Sequence, residues 1–405
     1  GDALEEAMFL AAREHVPFIA ITATGGARMQ EGMAALAQMP RTVAAARILA
    51  DAGIPRITVL GNPTTGGVYA SFACIADVVA AVRGATIGFA GPRVAKAAGA
   101  ELAAGSHTAE SAFEAGLADA LLAPDEVGAW LEKTLGVLVP SSSAGHQLPD
   151  VAPVGDAATT AWDEFRLARH PGRPSPRYYA EQMSADMVEL RGDRSGTNDP
   201  EVFTAIARIS DRPALVIAAG RGRPAAGGYR KATRAIEIAT RLRIPIVTIV
   251  DTPGADPGSE SEYGGLAHAI ATTFDRLLSA TVPVISIVTG EGGSGGALAL
   301  ACGDVIAMQE HAVFSVIGPE GAAAILYRDA DRAAEVAPLL KPTSRDLLTI
   351  GIANELIAEP AGGAHSDPAE AAANLAAWTL SALVKVKARP QQRVERFREA
   401  GRAGL

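Results

Sequence analysis

The chain has 405 residues, 48% of them hydrophobic and 20% charged, enough for two domains with proper cores and too apolar for a disordered chain. A net charge of −9, with no basic stripe interleaved with aromatics, argues against non-specific nucleic-acid binding, although a local basic cluster such as Arg221–Lys231 could still meet phosphate. No run approaches the roughly 20 uncharged residues of a membrane span, and two cysteines exclude a disulfide framework or a Cys-rich zinc site within the chain, so a cytoplasmic, metal-free protein is expected.

In chain order, the pattern predicts a helix over Ala3–His15, a strand over Pro17–Ala23, a loop Thr24–Arg28 and a helix over Gln30–Ala50. A strand Arg56–Leu60 leads through the glycine pair Gly66-Gly67 to a helix Tyr69–Ile75. Short strands follow at Asp77–Ala81 and Thr86–Phe89, and Ala-rich helical sequence then runs to Leu138. Pro140–Thr160, rich in Ser, Pro, Ala and Gly, reads as a linker between a domain over 1–139 and another over 161–405. The second opens with helices Ala161–Arg169 and Tyr178–Leu190, strands Ala205–Ile209 and Ala214–Ala218, and the helix Tyr229–Leu242. The strand Ile244–Val250 and the loop DTPGADPG precede the apolar run Val282–Val288. The chain closes in helices from Ala369 to Arg402. Cys74 and Cys302, each after a glycine loop in predicted helix, read as small core residues.

The segment Gly290–Asp304, GEGGSGGALALACGD, carries five glycines in seven residues where a strand gives way to a helix. Glycine leaves backbone N–H groups uncovered, and at a helix start those groups lack partners and lie at the positive end of the dipole. The site suits an anion, or an oxygen that is becoming one. A tight turn needed for packing is the bland alternative, and a repeat counts against it. Pro55 matches Pro283, Gly66-Gly67 match Gly295-Gly296, Asp77 matches Asp304 and Gly91-Pro92 match Gly318-Pro319, at offsets of 227 to 229. Pro17–Arg28 matches Pro245–Asp256 at 228. Strands and helices alternating twice make an α/β protein of two related copies. In this alignment Thr65 lies opposite Ser294. Formal GxGxxG and GxSxG matches inside the loop, the second making Ser294 a nucleophile, are patterns that glycine-rich sequence fits easily.

Two glycine loops meeting in each copy can offer two main-chain donors to one oxygen, from Gly26/Ala27 with Gly66/Gly67 and from Gly254/Ala255 with Gly295/Gly296. That is an oxyanion hole suited to an enolate of a thioester, where one donor is worth on the order of 3 kcal/mol in the transition state. No side-chain base stands out, which fits a base supplied by the other substrate.

TGGARMQEGM, NPTTGGVYASFA and ATIGFAGPRV resemble the β half of the bacterial acetyl-CoA carboxylase carboxyltransferase. ARHPGRPSPRYY, GYRKATRAIEIA, DTPGADPGSESEYG, EGGSGGALALACGD, FSVIGPEGAAAILYRDA and EPAGGAHSDP resemble its α half, so the chain is similar to a fused β–α form. The resemblance implies tandem crotonase-like (ClpP/crotonase) ββα-spiral domains and transfer of a carboxyl group from carboxybiotin to an acyl-CoA. It implies that Gly26, Ala27, Gly66 and Gly67 hold the thioester oxygen. Gly254, Ala255, Gly295 and Gly296 would hold the biotin ureido oxygen. Arg28 and the segment Gly88–Arg93, with Phe89, Ala90, Gly91 and Arg93, would lie on the CoA side. Gly318, Pro319, Glu320 and Gly321 would lie on the biotin side. Implied partners are a biotin carboxylase and a biotin carboxyl carrier protein that brings the carboxybiotin, with the fused chain a homodimer whose sites lie between halves of two protomers. The family's β half begins with a four-cysteine zinc ribbon without counterpart here, so zinc is expected only if such a ribbon precedes this sequence. Between strand and GYRKA only GRGRPAAG stands where the family carries a basic segment, and the usual PEGCA reads PEGAA. A malonyl-type thioester decarboxylase and an inactive binding scaffold remain as alternatives, the intact glycine loops weighing against the scaffold.

Overall fold

The structure is a computed structural model that describes residues 1–26, 28–139, 148–155 and 159–403. Of the expected linker, 140–147 and 156–158 lie outside the described residues, as does Ala27. Two compact units divide the chain. One comprises Gly1–Val139, Val188–Asn198 and Arg241–Arg243, the other Pro140–Met187, Asp199–Thr240 and Ile244–Leu405.

The first unit is built on β1 (Phe18–Thr24), β2 (Arg56–Thr65), β3 (Val78–Val82), β4 (Ile87–Gly88) and β5 (Ala120–Leu122), ordered β1-β2-β3-β5 with β4 on β2. Every pair is parallel. Parallel neighbours need a long crossover, and helices such as Asp2–Glu14 and Met33–Asp51 supply the cover. Leu49, Ile57, Leu60 and Val79 are fully buried, each stabilising by roughly 1.5–3 kcal/mol. Asp77 accepts the Arg56 backbone N–H (2.9 Å) and pairs with its guanidinium (2.7 Å), which starts β2 at Arg56.

The second sheet is formed by β6 (Asp186–Glu189), β7 (Val202–Ile209), β8 (Arg212–Ala219), β9 (Ile246–Thr252), β10 (Val284–Gly293), β11 (Val305–Gln309), β12 (Val313–Ser315) and β13 (Glu355–Ile357), ordered β13-β11-β10-β9-β8-β7-β6, with β12 on β10. β7 and β8 are antiparallel across the two-residue turn Ser210-Asp211, with Ser210 at φ 55°. The pairs from β8 through β13 are parallel. Asp304 repeats the work of Asp77 by accepting the Val284 N–H at 2.8 Å. Its charge meets the fully buried Arg393, whose Nε and Nη2 each lie 2.8 Å away.

The duplication is carried in the register. β1 and β9, like β2 and β10, lie 228 residues apart. Thr22 pairs with Leu60 and Thr24 with Thr64; Val250 pairs with Val288 and Thr252 with Gly292. One residue of the first strand thus spans three of the second at the same bulge in both units, and the bulge bends each strand end away from regular pairing.

Several expectations change. The glycine run is strand as far as Gly293, because Glu291, Gly292 and Gly293 pair with Val313, Phe314 and Ser315; the helix beyond covers only Ser294–Leu298. In place of the helix expected over Tyr69–Ile75 stand two short helical pieces, Gly66–Val68 and Tyr69–Ala73, the second distorted where Ala70 and Ser71 leave helical angles. Cys74 and Cys302 fall outside helix, the first half-buried and the second buried. The stretch read as helical to Leu138 contains β5, which pairs with β3. The helix expected to reach Leu190 ends at Met183, where the Ser184 hydroxyl donates to Ala180 O at 2.7 Å, and β6 follows.

Candidate functional site

In the second unit the site lies where β9 and β10 end. Thr252, fully buried, donates its hydroxyl to Gly222 O at 2.8 Å and accepts the Gly254 N–H at 3.3 Å. Gly254 then turns at φ 125°, which a side chain would resist, and brings Ala255 beside the second strand. A Cβ built on Gly296 would lie 2.5 Å from the Ala255 nitrogen and 2.6 Å from the Tyr229 hydroxyl oxygen, so these three groups meet at one point. Gly295 differs: none of the described residues lies within 4 Å of a Cβ built there, and the residue is exposed. Ser294, Gly295 and Gly296 form the first turn of their helix, where N–H groups find no partner within the helix.

A cavity of about 480 Å³ opens at Gly295, walled by Phe314, Val316, Leu347 and Ile350, with Ser294 and Lys341 among its polar members. Three residues before Ser294, the buried Glu291 enters a charge cluster with the half-buried Arg169 and Glu320. Arg169 holds Glu291 with Nε and Nη2, at 2.8 and 2.7 Å, and donates Nη1 to Glu320 at 2.7 Å. Arg169 Nη2 also comes within 3.3 Å of a Cβ built on Gly318. Gly318 caps the helix Pro319–Tyr327, Pro319 is buried and Gly321 packs by Ile317. One guanidinium therefore ties the segment Gly318–Gly321 to the strand that ends in the glycine turn. Asp251 accepts the Glu291 N–H and pairs with Arg221, each at 2.9 Å; burial nonetheless pushes its carboxyl above the usual range.

The first unit holds the matching turn. Gly26, at φ 117°, donates to Thr24 Oγ1 at 3.3 Å, as Gly254 does to Thr252. Gly66, at φ 64°, follows β2, and its N–H goes to Phe89 O at 2.8 Å, so Gly67 is the residue of that pair whose first-turn N–H has no partner among the described residues. Gly26, Arg28 and Gly67 line one cavity of about 290 Å³ with Met39, Val68 and Phe72. Ala27 is outside the described residues. Of the segment Gly88–Arg93, Phe89 touches the turn through its carbonyl, and Gly91 lies so that a Cβ would stand 3.8 Å from Thr65 Oγ1. Ala90 is half-buried, and the side chains of Phe89 and Arg93 are exposed.

The structure moves the alignment of the two turns by one residue. Ser294 stands at φ 60° where Gly66 stands at φ 64°, so Ser294 is the counterpart of Gly66 and Gly295 that of Gly67. Sequence reasoning also passed over Tyr229, Arg169 and Glu291. The last two stand 122 residues apart, and only their charge hinted at a pairing.

The family described as acetyl co-enzyme A carboxylase carboxyltransferase-like matches residues 156–401. The acetyl-coenzyme A carboxylase carboxyl transferase subunits beta/alpha of Salinispora tropica is 41% identical, over 100% of this chain and 76% of that protein. The alpha subunit of Thermosynechococcus vestitus is 44% identical over 60% of this chain and 80% of its own length. Among solved structures, transcarboxylase 12S with methylmalonyl-coenzyme A and methylmalonic acid bound shares the fold at TM-score 0.76 and 23% identity, covering 96% of this chain and 76% of that one. A single-chain, multi-domain long-chain acyl-CoA carboxylase matches at TM-score 0.70 and 20% identity, covering 94% of this chain and 37% of that one.

Proposed function

This chain belongs to the acetyl-CoA carboxylase carboxyltransferase family, with its tandem crotonase-like fold, and from that premise we propose that it moves a carboxyl group from carboxybiotin to an acyl-CoA. The observation that carries the reading is the duplicated turn. In each unit a Thr-anchored glycine loop and the first turn of a short helix come together at a strand bulge. Main-chain donors fixed before the substrate arrives suit an oxygen that gains charge during reaction, at about 2.7–4 kcal/mol for each donor.

On this reading the first unit holds the thioester oxygen, with the Gly67 N–H as one donor, and so stabilises the enolate. The second unit holds the ureido oxygen with the Ala255 N–H and those of Gly295 and Gly296. The apolar walls of the 480 Å³ cavity fit a bicyclic ring of biotin's size and keep water from the reacting atoms. Carboxybiotin, borne on a carrier protein, supplies the carboxyl group and, once that group has left, the nitrogen that takes the α-proton of the acyl-CoA. A biotin carboxylase and a biotin carboxyl carrier protein are then the working partners, and a homodimer the working assembly.

The test is biotin-dependent release of acetyl-CoA from malonyl-CoA by the purified chain, with Gly295→Val alongside. Open space around Gly295 lets the variant fold while its side chain blocks the site. Activity that requires biotin and disappears in the variant is expected. Release without biotin would make the chain a decarboxylase, and no release would overturn the reading.

A further inference from the structure

Tyr229 stands in the helix Ala226–Leu242 with no exposed surface, and its hydroxyl oxygen has no hydrogen-bond partner among the described residues. Its surroundings are Ala226, Leu266, Ala269 and Ala299, with Ala255 and Phe274 packed against them. A phenylalanine would fill such a place without burying an unpaired O–H, and more than nine in ten buried polar groups in proteins do find partners. Burial raises the phenol's pKa, so the group stays protonated and keeps one proton to give. The hydroxyl lies where the two donor loops meet. The same imaginary Cβ on Gly296 that would strike Tyr229 Oη at 2.6 Å would strike the Ala255 nitrogen at 2.5 Å.

We infer that Tyr229 is a positioning residue of the second unit's oxygen pocket, the bulk of its hydroxyl oxygen keeping the Ala255 amide and the Gly295–Gly296 amides at the spacing one bound oxygen requires. This rests on the carboxyl-transfer reading above. Without the oxygen atom of Tyr229 the loop Pro253–Gly258 can settle toward Gly296, and the donors no longer converge. Misplacements of this order cost rate far more than they cost folding.

Wild type and Tyr229→Phe are compared by thermal midpoint, by biotin-dependent acetyl-CoA release from malonyl-CoA, and by calorimetric binding of free biotin. The midpoint is expected to equal or exceed that of wild type. The kcat should fall about tenfold or more, with KM for malonyl-CoA within about twofold, and biotin should bind about fivefold more weakly. A variant with wild-type kcat and wild-type biotin affinity would overturn the inference, as would one whose midpoint falls together with its kcat. A wild-type chain that binds biotin but releases no acetyl-CoA sinks the carboxyl-transfer reading alone, because the binding comparison still decides Tyr229. A wild-type chain that binds no biotin overturns both.

Discussion

Gly66 and Ser294 hold one backbone conformation, φ 64° and φ 60°, as the first residues after two strands 228 residues apart. For glycine that conformation is free, whereas an L-residue gives up roughly 1–2 kcal/mol. Ser294→Gly should therefore leave activity intact and the thermal midpoint equal or slightly higher, since the glycine's greater chain entropy offsets part of the relief. Ser294→Val, β-branched at positive φ, should lower the midpoint by several degrees. Loss of activity in the glycine variant would restore a chemical role to the serine hydroxyl.

Gly295 and Gly296 are neighbours with opposite tolerance. Alanine at 295 meets open space, so its midpoint should match wild type, and any loss of turnover reports substrate occupying that space. Alanine at 296 presses on the Ala255 nitrogen and on Tyr229. It should cost both stability and about 10²–10³ in kcat, the usual price of spoiling one oxyanion donor. Calorimetry and steady-state rates on the two variants decide it; equal behaviour would show that the loops do not meet as described.

Arg393 is the sole side-chain cation that the structure pairs with Asp304 among the described residues, and it also donates to Leu277 O and Val282 O at 2.8 Å. Arg393→Met leaves a carboxylate that is 3% exposed without its counter-charge, for a loss of about 3–5 kcal/mol. The double variant with Asp304→Asn should recover part of that loss. Urea unfolding of the three variants gives the coupling, and a single variant as stable as wild type would contradict the pairing.

His311 Nδ1 lies 2.8 Å from Glu164 Oε2, both groups buried, and this hydrogen bond lifts the imidazole's pKa above its usual value. A folded value above the unfolded one, about 6.5, contributes stability that is fully present below that pH and is lost as pH rises through the folded value. The stability of wild type over His311→Gln should thus be greatest below about pH 6.5 and shrink as the pH rises above it. A difference independent of pH would mean that the pair carries no charge.

Much of this was legible in the sequence. The spacing of Asp77 and Asp304 survives because each does the same work, catching the first N–H of the strand before it. The glycine pairs, by contrast, invited matching by identity. The offset of 228 shared by Pro55 with Pro283 already sets Ser294 opposite Gly66, but matching glycine to glycine hid it, since a non-glycine residue was not expected at a positive-φ turn. Strands of three or four residues such as β5 and β6 are too short for periodicity and exist through their neighbours. Tyr229 reads as an ordinary core residue of an amphipathic helix, and only its lack of a partner sets it apart.

The turn Ser210-Asp211 has a consequence in time. Parallel neighbours are joined through long crossovers, whose closure entropy must be met before any pairing is rewarded. Among the described strands only β7 and β8 pair antiparallel across a tight turn, and a hairpin of that kind closes in about 1–10 μs. Its strand β8 is also the partner onto which β9 docks. Refolding should accordingly begin at Val202–Ala219 and spread along the sheet towards β13, leaving the apolar β10 and β11 open to aggregation during the slow phase. Pulsed hydrogen exchange would find the amides of β7 and β8 protected first.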